Sequence, residues 1–290
     1  MFGEGTLVNK DTAAEGLSRR TLFKIAGISA TGYALAVQPL SAETIHTPDT
    51  GLVTRDIEVS RRADRMPVYL AMPEGSARRP AVIVIHEIFG QHEHIRDVAR
   101  RFAREGFIAA APELYFRDGG VKHLKDFPAI LEVVRNIPDR QLLDDLGALL
   151  THLKGLPQSN GKVGATGFCW GGGATWLLAL DNPGLDAAVT WYGRLTNWGS
   201  GPLHPHNPID LAERLHAPVL GLYGGQDNGI PVADVNAMRD KLKALGKTNE
   251  MVIYPDAPHA FHADYRPSYR PEAAKDGWGR CLAWFRKYLS

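Results

Sequence analysis

The chain has 290 residues, 44 % of them apolar and 22 % charged, enough to bury one large core and unlike a disordered or fibrous composition. Its formal net charge of +1 argues against the concentrated basic face that nucleic-acid binding requires. No repeat of fixed period and no low-complexity tract is present.

The first fifty residues differ from the rest. Ser18-Arg19-Arg20-Thr21-Leu22-Phe23-Lys24 is a twin-arginine pattern, and an uncharged, Gly/Ala-rich run follows from Ile25 to Val37. Small residues then lead to a candidate cleavage point after Ala42. A basic region, a short apolar run and a small-residue exit describe an export signal. Residues 1–46 are therefore expected to be signal and linker, 47–290 the folded domain, and the periplasm its location. The alternative is a cytoplasmic protein with an N-terminal extension. The apolar run is too short and too glycine-rich to make a stable membrane span.

From Leu52 the pattern alternates between strands and helices. Leu52–Ser60 and Met66–Met72 read as an opening hairpin, with Pro73-Glu74-Gly75 as a turn. The β-branched run Ala81–Ile85 reads as a strand buried on both faces, and Phe107–Ala111 as a second. Helical spacing covers Glu93–Arg104, Asp139–Lys154, Ala233–Leu245 and Pro271–Tyr288. Further strands fall at Val163–Thr166, Leu185–Trp191, Val219–Tyr223 and Glu250–Tyr254, with Thr196–Asn207 as a surface excursion. This alternation predicts an α/β fold: a mostly parallel central sheet with helices on both faces.

Gly167-Phe168-Cys169-Trp170-Gly171 joins one of these strands to an apolar helix, the nucleophile-elbow pattern with cysteine in the serine slot. The glycines two positions either side of Cys169 let backbones close up around a strained turn, and the helix N-terminus favours negative charge at the sulfur. Alone, the pattern also suits a glycine-rich turn with Cys169 as a small buried hydrophobe. Asp227 and His259, however, also follow predicted strands directly, where catalytic groups of such sheets gather. Nucleophile, acid, histidine is the chain order of the α/β-hydrolase triad. Two cysteines in an exported protein would ordinarily suggest a disulfide. Here Cys169 is placed as a nucleophile and Cys281 within a C-terminal amphipathic helix pattern.

From Leu52 to the C-terminus the chain resembles the dienelactone hydrolases (carboxymethylenebutenolidases) of the α/β-hydrolase fold. That family's G-[FY]-C-x-G-G elbow matches Gly167–Gly172, its E-I-F-G matches Glu87–Gly90, and its P-[DE]-L-Y-x-R matches Pro112–Arg117. Its W-Y-G matches Trp191–Gly193, its acid matches Asp227, and its H-[GA]-F matches His259–Phe261. The resemblance implies that Cys169 attacks a lactone or ester carbonyl, with His259 as base and Asp227 orienting it. It implies an oxyanion hole from the amides of Ile88 and Trp170, and a Glu87 that helps deprotonate the thiol. It also places Arg117 and Tyr192 on the substrate side, Arg117 as the first of two arginines holding a substrate carboxylate. Ala263 stands where the second belongs, and Arg266 is the nearby arginine that can take its place.

The histidine pairs His92/His94 and His204/His206, and the run His259–His262, lack the third ligand at a recognised spacing, so no metal is expected. The glycines of the elbow fit neither a phosphate loop nor a dinucleotide fingerprint, so no cofactor is expected, only a small-molecule lactone or ester. The reading from another class is a non-catalytic periplasmic binding protein on the same scaffold.

Overall fold

The computed structural model describes residues 44–124, 126–199 and 201–290. The twin-arginine segment and Ala42 lie outside the described residues. The β-branched run forms the inner part of strand β3 (Arg79–Ile85), and Ala81 to Ile85 are fully buried. Such a strand packs on both faces, which fixes it at the centre of a covered sheet.

Strands β1 (Leu52–Arg61) and β2 (Asp64–Pro73) form the opening hairpin. The others are β4 (Ile108–Pro112), β5 (Ser159–Phe168), β6 (Ala187–Trp191), β7 (Val219–Gly224) and β8 (Asn249–Tyr254). Their order across the eight-stranded sheet is β1-β2-β4-β3-β5-β6-β7-β8. The β1–β2 and β2–β4 ladders are antiparallel and the remaining five parallel.

Helices α1 (Glu93–Arg104) and α6 (Pro271–Tyr288) cover one face, where Phe102 meets Trp278 and Phe285. Helices α3 (Asp139–Lys154) and α4 (Trp170–Asp181) pack together on the other. Residues Trp170 to Leu180 of α4 are all buried, as expected of a helix apolar on every side. The short α2 (Phe127–Arg135), capped by the Asp126 carboxylate accepting from the Ala129 amide, precedes α3. Helix α5 (Val232–Ala244) packs beside β8.

Chain order places β4 on one side of β3 and β5 on the other, so the sheet switches direction between β3 and β5. The loops leaving their carboxyl ends diverge there and open a crevice. Into that crevice the sequence delivers Glu87 and Ile88 after β3 and Cys169 after β5.

Ahead of β1 the chain is fastened by Asp97 of α1. Its carboxylate accepts from the Thr47 amide and hydroxyl, while Arg100 donates to the Thr47 carbonyl at 2.9 Å. None of the helices among the described residues is long and apolar enough to cross a membrane.

Candidate active site

Strand β5 ends at Phe168 and α4 begins at Trp170, so the chain must turn within Cys169. Its backbone sits at φ 56° and ψ −115°, a conformation costing a non-glycine residue on the order of 1–3 kcal/mol. The flanking glycines explain why the turn closes. A Cβ on Gly167 would run into the Gly171 carbonyl, and one on Gly171 into the carbonyls of Ile85 and His86. As the first residue of α4, Trp170 has an amide with no intrahelical acceptor.

Asp227, in the loop after β7, is buried, and its Oδ1 accepts from the Gly229 amide at 2.8 Å. Its Oδ2 lies 2.6 Å from His259 Nδ1. A carboxylate only accepts, so Nδ1 carries the hydrogen and donates it, and Nε2 is the ring nitrogen left over. Burial disfavours an imidazolium here. The Cys169 charge and the hydrogen bonds to Asp227 and Cys169 outweigh burial and push the His259 pKa up to about 10. With 36 % of its side chain exposed, water screens part of that coupling. Tyr192 packs edge-on against the ring with centroids 5.1 Å apart. Tyr192 (φ 40°) and Ala260 (φ 60°) join Cys169 in the left-handed region, so strain gathers at this end of the sheet.

The opposite side of Cys169 is built on His86. Its Nε2 accepts from the Leu114 amide at 3.1 Å, so the hydrogen resides on Nδ1, which donates to the Glu87 carbonyl at 2.6 Å. Burial lowers the His86 pKa, which keeps the ring neutral and both bonds intact. His86 therefore ties the loop carrying Glu87 and Ile88 to the loop after β4. Glu113 reinforces the tie by accepting from the amides of Gln91 and Tyr115 at 3.0 and 3.1 Å.

The Glu87 carboxylate is buried; Oε2 accepts from the Tyr265 hydroxyl at 2.7 Å and Oε1 has no partner. The Tyr192 hydroxyl is also buried and unpartnered. Its pKa is pushed well up, first by burial and then by the charges of Glu87 and Cys169. Ile88 is half-buried in the same loop.

The two arginines part company. Arg117 does not offer a free guanidinium at the mouth of the site, contrary to the sequence expectation. It donates twice to Asp145, at 2.6 and 3.0 Å, and once to Asp64, at 2.8 Å. Those partners come from α3 and the start of β2, so Arg117 braces the hairpin against the helix layer. Arg266 is half-buried, with its guanidinium 5.5 Å from the centre of the Phe89 ring, and is electrostatically coupled to Glu87 and Cys169. Among the described residues it has no side-chain hydrogen bond or ion pair. Ala263 is fully buried.

The remaining histidines have other surroundings. His92 and His94 flank Tyr265, His204 lies 2.8 Å from Asp139, and His206 is exposed. No group of three side chains able to hold a metal ion occurs among the described residues. Cys169 and Cys281 are both free of disulfide bonds. Sequence reasoning passed over the roles of His86, Glu113 and Tyr265. His86 and Glu113 lay inside or beside quoted motifs, but Tyr265 carried no signal beyond its closeness to His259. It also missed how Trp198, in the excursion, stacks on Trp170 at 6.2 Å and donates to Asp139 at 2.8 Å.

Fold and site together define a hydrolase of the α/β class. The chain belongs to the dienelactone hydrolase family, whose model matches residues 66–289. A protein of Methylorubrum extorquens, provisionally named carboxymethylenebutenolidase, is 51 % identical over 275 residues, spanning 94 % of each chain. A relative in Escherichia coli K12 with the same provisional name is 48 % identical, over 89 % of this chain and 95 % of its own. The crystal structure of a provisional dienelactone hydrolase from Klebsiella pneumoniae superposes with a TM-score of 0.77. It is 46 % identical and is covered over 99 % of its length by 82 % of this chain.

Proposed function

We propose that the protein hydrolyses a lactone or carboxylic ester through Cys169, His259 and Asp227. The observation that carries this reading is His259 set between the two: Nδ1–H bonded to Asp227 at 2.6 Å, and the ring electrostatically coupled to Cys169. With its pKa pushed up to about 10, His259 stands as an imidazolium at neutral pH, and Glu87 takes the proton of the thiol as the sulfur attacks. The thiolate attacks the carbonyl carbon, and the amides of Ile88 and Trp170 receive the developing oxyanion. As the C–O bond breaks, His259 Nε2 gives its proton to the leaving oxygen, which in a lactone stays tethered to the acyl group. Water then attacks the thioester while Nε2 takes its proton, and the carboxylic acid leaves as the thiolate is restored. Glu87 supports the sequence by accepting the thiol proton when the sulfur is found protonated.

The carboxymethylenebutenolidase names of the relatives favour a substrate bearing a carboxylate of its own. Arg266, half-buried and with no side-chain hydrogen bond or ion pair among the described residues, is the group to receive it. The twin-arginine pattern supports a periplasmic site of action.

Turnover of a chromogenic acetate ester and of an acidic lactone tests the reading. Cys169→Ala should abolish both activities and Cys169→Ser should retain a trace, because a serine hydroxyl is far less acidic than a thiol. Turnover that survives Cys169→Ala would sink the proposal, and no turnover by the unaltered protein would favour a binding role.

A further inference from the structure

The Glu87 carboxylate lies in the crevice with Cys169, held by a single side-chain hydrogen bond among the described residues. The Tyr265 hydroxyl donates to Oε2 at 2.7 Å, and Oε1 is buried with no partner. A half-satisfied buried carboxylate is costly, and it persists only where surrounding structure fixes it or where function needs the free acceptor. Tyr265 is fixed. Its fully buried ring lies between His92 (centroids 5.3 Å apart) and His94 (4.9 Å). His94 is in turn 3.2 Å from Asp264, which Arg101 of α1 grips at 2.6 Å. Burial and then the Glu87 charge push the phenol's pKa well above its ordinary value, so Tyr265 remains a donor throughout the working range.

We propose that Tyr265 is a positioning residue for the hydrolysis: its hydroxyl pins Glu87 through Oε2 and leaves Oε1 as the free proton acceptor. This rests on the role given to Glu87 above. The groups electrostatically coupled to Glu87 are His86 beside it, Tyr115 after β4, Tyr192 after β6, and Tyr265 and Arg266 after β8. Arg266 is the only cation among them. Tyr265 and Arg266 therefore favour the charged carboxylate from one loop, the first by a hydrogen bond and the second through space.

Losing the hydroxyl frees the Glu87 side chain from its one donor, so Oε1 is no longer held toward the sulfur. Tyr265→Phe should lower kcat roughly tenfold and leave KM unchanged. Glu87→Asp, which retracts the carboxylate while leaving Tyr265 in place, should lower kcat in the same way. In a Glu87→Gln background, Tyr265→Phe should have no further effect. A kcat that stays put in both Tyr265→Phe and Glu87→Asp, or additive losses in the double variant, would overturn the proposal. Full activity of Glu87→Gln at every pH would instead remove the role of Glu87 itself, and the role of Tyr265 with it.

Discussion

The two sides of Cys169 are built on opposite principles. On the His259 side the polar groups are matched: Asp227 accepts from His259 and from the Gly229 amide, and the ring is electrostatically coupled to Cys169. On the Glu87 side, Glu87 Oε1 and the Tyr192 hydroxyl are buried without partners, and the Arg266 guanidinium has no side-chain acceptor among the described residues. Leaving such groups unpaired costs stability, so a folded protein keeps them where a ligand completes them. On the proposed function, the matched side is the reacting machinery and the unmatched side is the mould.

Breaking the matched side should have the largest effect. Asp227→Asn should lower kcat by on the order of 10²–10⁴-fold, since the imidazole loses both its orientation and its counter-charge. It should also change the pH profile in a defined direction. The imidazolium must be present to protonate the leaving oxygen, so kcat/KM of the unaltered protein should fall as pH rises through about 10. Without Asp227 that alkaline limb should move toward the ordinary histidine value of about 6.5. A limb that remains near 10 in Asp227→Asn would mean that Asp227 is not what holds the histidine charged.

Breaking the unmatched side should be felt selectively. Arg266→Ala should cost on the order of 2–5 kcal/mol in kcat/KM with acidic lactones, mostly through KM, and little with neutral esters. Equal losses on both substrates would make Arg266 a structural residue. The smallest catalytic effect belongs to Arg117→Ala. Its partner Asp145 is 2 % exposed at the side chain but keeps a second arginine, Arg61, at 3.2 Å. The variant should lose about 1–3 kcal/mol of stability in denaturant unfolding, with substrate preference unaltered. Should it lose acidic substrates selectively, the contrast between the two arginines is wrong.

That contrast marks where sequence reading stops. Buried strands announce themselves as β-branched runs, and Glu93–Arg104, Asp139–Lys154 and Pro271–Tyr288 matched the observed helices end to end. Their signals are local: periodicity, a stopping glycine, a proline at the start. The short α2 escaped notice because Phe127–Arg135 gives a compact apolar stretch rather than a helical stripe. Partnerships are not local. Nothing around Arg117 reveals that Asp64 and Asp145, 53 and 28 residues away, will claim it. Tyr265 reaches Glu87 across 178 residues, so that hydrogen bond was equally invisible until the loops after β3 and β8 met. The candidate triad was legible because its members repeat one local rule, a reactive side chain just past a strand.

The grip of Asp97 on Thr47 sets how far the start of the folded domain can be shortened without loss. Thr47 gives Asp97 its amide and hydroxyl hydrogens and gives Arg100 its carbonyl, and Arg101 carries the same carboxylate on to Asp264 beside His94. A chain shortened past Thr47 would leave Asp97 with only Arg100 and Arg101 as side-chain donors, on the helix that also holds Asp264 through Arg101. A form beginning at Thr50 should therefore melt below one beginning at Thr44, and equal thermal midpoints would show that Thr47 fastens nothing.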